Sequence, residues 1–142
     1  MEGDNFYYSA YKGSKEFTQQ QVHSANATGF GAAADDFAER GIDLNEQLVK
    51  NKPATFFMRV NSEAMVGEGV HIGDVVIVDR SLKAKNGNLL IVVIDGELLI
   101  RKLEVSSGRM RLVAASKKFS SLDITGTEPN VWGVVTYVIH QV

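Results

Sequence analysis

From Ala54 to Val142 the chain alternates between short apolar runs and clusters of turn residues. The runs are "ATFFMRV", "DVVIVD", "NLLIVVI", "ELLIRKLEV", "RMRLVAA" and "VWGVVTYVIHQV". They are rich in β-branched and aromatic side chains, which fit a pleated, half-buried surface and predict strands. Between them lie "GEG", "NGN", "DG", "SSG" and "TGTEPN". Asp95-Gly96 is the sharpest of these, because both central residues of a type I′ turn need positive φ. The pattern therefore predicts a hairpin of Leu89–Ile94 with Glu97–Leu103. Several short strands at this spacing predict a mainly β fold of curled antiparallel sheets.

Upstream the pattern changes. "IDLNEQLVKNKP" predicts one short helix of about two turns. Asp43 can cap it, Glu46 three residues later supplies the partner of a capping box, and Pro53 marks its end region. Residues 1–40 hold "TQQQVHSANATGFGAAADD", which is small, polar and without a sustained period. The expected organisation is an extended N-terminal arm over 1–40 and a β domain over 41–142.

Composition narrows the function classes. The chain has 142 residues, 44% of them hydrophobic and 23% charged, enough for one core without staples. It has no cysteine, so a disulfide framework and a thiolate metal site are excluded, and a reducing compartment fits. Net charge is −2, which argues against a dedicated phosphate-binding surface. The start "MEGDNFYYSAYKG" is acidic and polar, so no secretory leader is expected. The longest apolar stretch, "LLIVVIDGELLI", is broken by Asp95-Gly96-Glu97, so no membrane span is expected either.

Candidate chemistry concentrates in "MRVNSEAMVGEGVHIGDVVIVDR", Met58 to Arg80. A strand leads in, a glycine-rich loop follows, and a strand leads out. This is a frame suited to a nucleophile, yet its centre is Ala64. Gly67, Gly69 and Gly73 do not have P-loop spacing and no Gly-Lys-Ser/Thr follows, so they are expected to shape turns. Ser62 is expected to form a turn hydrogen bond. His23, His71 and His140 are far apart in sequence and predict no metal site; His71 is expected on a surface turn. Phe56, Phe57, Trp132 and Tyr137 sit in strand patterns and are expected in core or subunit packing, and Lys83 and Lys85 in a solvated turn.

The segment "VNSEAMVGEGVHIGDVVIVDRSLKAKNGNLLIVVIDGELLIRKL" resembles the self-cleaving domain of the LexA/UmuD family. The S-x-x-M loop, the "IVDR" strand and the "DGE" hairpin carry the resemblance. "TGFGAAADDFAERGIDLNEQLVKNKPATFFMRV" and the final "VWGVVTYVIHQV" are similar to the UmuD branch, which lacks the helix-turn-helix domain of the repressors. The resemblance implies a cytoplasmic homodimer of the bacterial SOS response, without a cofactor. It implies cleavage of the arm by a Ser–Lys pair, promoted by a RecA filament on single-stranded DNA. The shortened dimer then joins a UmuC-like Y-family polymerase for translesion synthesis. No membrane and no specific DNA contact are implied.

Carried over by position, the resemblance places the nucleophile at Ala64, where Ser is expected, and the general base at Arg101, where Lys is expected. The cleavage site falls at Thr28–Gly29. A Ser–Lys pair needs a neutral amine to take the Ser proton. Alanine has no oxygen, and a guanidinium with a pKa above about 12 accepts no proton. The chain is therefore expected not to cleave. Lys102, next to Arg101, is expected on the opposite strand face. Two origins fit Ala64: a substitution that traps the uncut form, or a natural non-cleaving regulatory partner of a Y-family polymerase. A repressor that lost its DNA-binding half and a membrane signal peptidase are weaker readings, lacking the helical signature and the anchor.

Overall fold

The computed structural model describes Tyr7–Ala10 and residues 41–142. These fall into two units, one holding residues 41–50 and the other a body formed by Tyr7–Ala10 with Asn51–Val142. In the first, α1 covers Leu44–Leu48, shorter than the two turns expected. Asp43 caps it: its carboxylate accepts from the Asn45 amide at 2.9 Å, satisfying one orphan donor of the first turn. Thr28 and Gly29 lie outside the described residues.

The body is mainly β, as the apolar pattern predicts. Its strands are β1 (Tyr7–Ala10), β2 (Thr55–Arg59), β3 (Val75–Asp79), β4 (Leu89–Ile94), β5 (Glu97–Ser106), β6 (Arg109–Val113), β7 (Leu122–Asp123) and β8 (Val131–Ile139). They join in one open, curled sheet of order β1-β2-β3-β8-β4-β5-β6-β7. Every pairing is antiparallel. The hairpin predicted at Asp95-Gly96 is present, with Ile94 opposite Glu97 and φ of 51° and 80° at the two turn residues. A second such turn at Ser107-Gly108, φ 50° and 77°, joins β5 to β6. β8 is the junction of the sheet. Its C-terminal half pairs with β3 and its N-terminal half with β4.

The sheet buries side chains on both faces. Along β4, Ile91 enters one cluster and Leu90 and Val92 another; along β5, Ile100 enters the first and Leu99 and Leu103 the second. Alternation along a strand sends neighbours to opposite faces, so a strand covered twice reads as a continuous apolar run. This explains "LLIVVI" without a membrane, and no described helix is long and apolar enough to cross one. Each fully buried aliphatic side chain contributes about 1.5–3 kcal/mol. The first cluster also takes Met58, Val60, Val76 and Val78 from β2, β3 and the turn between them, together with Ala64, Met65 and Val70.

The join of β8 to its neighbours needs Gly133. A Cβ built there would lie 2.5 Å from Cγ1 of Val78, and Val78 is fully buried. Both ladders of β8 shift register close by, between Ile77 and Val78 and between Ile91 and Val92. Gly133→Ala therefore overpacks the junction and is expected to cost about 1–3 kcal/mol, read from the urea midpoint. A loss under about 0.5 kcal/mol would show that the junction yields.

Candidate functional site

The loop between β2 and β3 is closed at its base by a reciprocal backbone pair. Val60 donates to the Asp74 carbonyl and Gly73 to the Val60 carbonyl, each at 2.8 Å. Inside, the Ala64 amide donates to Ser62 Oγ at 3.1 Å, the turn-forming role expected of that serine. Residues Val66–Glu68 then make a 3₁₀ turn that ends at Gly69, φ 82°, a left-handed position that suits glycine. Val70 closes the turn by donating to the Met65 carbonyl at 3.2 Å.

The loop is clasped from outside by Ala115, just past β6. The Ala115 amide donates to the Ala64 carbonyl at 2.8 Å, and its carbonyl accepts from the Gly67 amide at 2.9 Å. That approach leaves no room at Gly67, where an added Cβ would stand 2.7 Å from the Ala115 carbonyl oxygen. Ala64 and Met65 are fully buried in the first core cluster. Two exposed ion pairs flank the clasp, Glu63 with Lys118 at 3.2 Å and Glu68 with Lys102 at 3.1 Å. Such pairs contribute at most about 1 kcal/mol each.

Arg101 and Lys102 leave β5 in different directions. Arg101 is fully buried opposite Leu90, on the strand face of Leu99 and Leu103. Its Nη1 donates to the Ile100 carbonyl at 2.7 Å, and its guanidinium carbon lies 5.4 Å from the Phe119 ring centre. Phe119 also packs against the cluster that holds Ala64. Lys102 emerges on the face of Ile100, where its ammonium meets Glu68 of the loop. The opposite faces expected of these neighbours are observed, and it is Lys102 whose charged end bonds to the loop.

The Peptidase S24-like family profile matches residues 21–136. Protein ImpA of Salmonella typhimurium is 37% identical over 114 residues, covering 80% of this chain and 77% of ImpA. Protein SamA of Salmonella typhimurium is 33% identical over 113 residues, 80% of this chain and 79% of SamA. Protein MucA of Escherichia coli is 32% identical over 113 residues, 78% of this chain and 77% of MucA. The chain belongs to the Peptidase S24-like family. Within it, LexA repressor 1 of Xanthomonas oryzae pv. oryzae is 32% identical over 91 residues, but these are only 45% of that repressor.

For a Peptidase S24-like chain the centre of the loop is chemically bare. The Ala64 methyl can neither attack nor exchange a proton. The Ser62 hydroxyl is nearly buried and already accepts the Ala64 amide. A guanidinium holds its protons at any ordinary pH, so Arg101 can contribute charge and packing but not base catalysis.

At the far end of the same loop the structure assembles a group that sequence spacing does not reveal. Asp74 is buried; its Oδ2 accepts from the His71 amide at 2.8 Å, and its Oδ1 lies 2.6 Å from His140 Nδ1. The His71 and His140 rings lie 4.9 Å apart, tilted by 43°. Gly73, φ 93°, lets the turn double back to present the carboxylate. His71 thus sits on a surface turn as expected, but it is joined there by a histidine from the end of β8. His23 lies outside the described residues. The signal that could have revealed the trio is the β3–β8 register, with Val75 opposite Ile139.

Burial alone pushes the Asp74 carboxyl up, but the His71 amide and the hydrogen bond and charge of His140 outweigh it and hold it below the ordinary carboxylate range. A carboxyl depressed in the folded state stabilises it above the unfolded pKa, and that contribution is lost as pH falls through the folded value. Asp74→Ala strands the His71 amide and is expected to cost about 1–3 kcal/mol at neutral pH in urea unfolding. The deficit should shrink as the buffer is made more acidic. An equal deficit at all pH values would remove the carboxylate from the account.

Proposed function

We propose that this chain is a UmuD-type subunit of SOS mutagenesis in a form unable to cut itself. The loop that would carry a nucleophile is fully built and clasped, and the residue at its buried centre is Ala64. That observation carries the reading, and the motif resemblance together with ImpA, SamA and MucA as relatives supports the mutagenesis context. In this role the chain forms a cytoplasmic homodimer. A RecA filament on single-stranded DNA is the trigger its family frame is suited to receive, with Thr28–Gly29 as the bond addressed. A UmuC-like Y-family polymerase is the partner, and the uncut arm keeps the assembly in its restrained state.

Arg101 favours a second reading, in which the chain is a natural non-cleaving regulator of such a polymerase. One substitution at the nucleophile is enough to trap an uncut chain, and the guanidinium at the base position goes beyond that need. The codon of the native gene at position 64 separates the two: serine points to a trapped form, alanine to a natural regulator.

Cleavage itself is tested by incubating the chain with RecA, ATP and single-stranded DNA, and separately at alkaline pH. No fragment beginning at Gly29 is expected from the chain as it stands. Ala64→Ser with Arg101→Lys is expected to restore that fragment, because it returns a nucleophile and an amine that burial can hold neutral. A fragment from the unaltered chain, or none from a folded double variant, would overturn the assignment.

A further inference from the structure

We propose that His71, Asp74 and His140 form a binding site for a divalent transition-metal ion, with Zn²⁺ the best match. Each residue offers one ligand atom, and these atoms lie within 4.8 Å of one another. Two ligands bonded at about 2.0–2.2 Å around one tetrahedral ion stand about 3.3–3.6 Å apart. His140 Nδ1, 2.6 Å from Asp74 Oδ1, therefore has to move out slightly while the more widely spaced atoms draw in, and both rings have room to turn. The His71 and His140 side chains are 46% and 48% exposed, whereas that of Asp74 is 2% exposed. The carboxylate is the fixed member and the imidazoles the adjustable ones.

The ligand chemistry selects the ion. Two imidazole nitrogens and one carboxylate oxygen suit Zn²⁺, Co²⁺, Ni²⁺ and Cu²⁺, whereas Ca²⁺ and Mg²⁺ prefer oxygen donors throughout. Asp74 is already oriented by the amide of His71, the kind of outer support that holds a ligating carboxylate in place. Both ring Nδ1 atoms are turned toward that carboxylate, at 3.7 Å and 2.6 Å. Three protein ligands leave a fourth tetrahedral position for water or a further donor. An ion bound here would fasten the end of the Val60–Asp74 loop to the end of β8, 66 residues away in sequence. It would strengthen the loop at the end opposite the Ala115 clasp.

The test uses the full chain in metal-free buffer, titrated with Zn²⁺ in a calorimeter and with Co²⁺ by visible absorption. One ion per chain is expected. His71→Gln and His140→Gln are each expected to weaken binding by at least about tenfold, since each removes a direct ligand. His23→Gln should leave the affinity unchanged. Both ligand variants alter half-exposed rings, so they should stay folded, which circular dichroism checks. Absence of saturable binding would reduce the trio to a hydrogen-bonded cluster and overturn the proposal. Binding that survives either ligand substitution within about twofold, or that fails in His23→Gln, would place the ion elsewhere and overturn it as well.

Discussion

Ala115 holds the loop that defines this molecule, through both of its backbone groups at once. Its amide reaches the carbonyl of Ala64 and its carbonyl takes the amide of Gly67. Because these are main-chain bonds, the path of the loop needs no polar group on the small buried side chain at position 64. Buried main-chain groups must be paired, so the clasp also removes the cost of sinking an irregular segment into a core. Met65 and Val70 then anchor the segment by burial in the same cluster. The loop is therefore fully held around a methyl group.

The sheet makes the clasp possible. β4 and β5 are covered on both faces, and the pairing of β6 with β5, ending at Val113 opposite Lys102, brings the chain to Ala115. β8 divides its pairing between β3 and β4 and has room to do so only because Gly133 carries no side chain against Val78. The same β3–β8 ladder carries His140 to Asp74. The loop is thus secured at two points by different physics, main-chain hydrogen bonds at Ala64–Gly67 and a buried carboxylate with its histidines at the far end. The first point carries a methyl group, which offers no reactive atom. The second holds three potential ligands that cleavage does not require.

Much of the fold was legible because its signals are local. The six long strands show as runs of β-branched and aromatic residues, and the β4–β5 hairpin shows in Asp95-Gly96, whose positive φ values the turn demands. Gly69 and Gly73 were likewise recognisable as turn formers. Strands β1 and β7 were not, since "YYSA" and "LD" are too short to establish a period and become strands only through their partners. Alternation shows that Arg101 and Lys102 face opposite ways, but nothing in the sequence says on which face the loop lies. The histidine–aspartate trio was hidden for a related reason. Its members meet through strand pairing across 66 residues, which spacing along the chain cannot express. Cleavage chemistry could be weighed from residue types alone, because no arrangement gives alanine an oxygen or guanidinium a lone pair free to take a proton.

The central claim is that the loop is held by its main chain and needs no hydroxyl at position 64. Amide hydrogen exchange at Gly67 and Ala115 tests it most directly, measured by nuclear magnetic resonance on the chain as it stands and on Ala64→Ser. The account predicts protection at both amides comparable to the β4–β5 ladder, and the same protection in both chains. Exchange at the rate of a solvated loop, or protection that changes with the side chain at position 64, would contradict it.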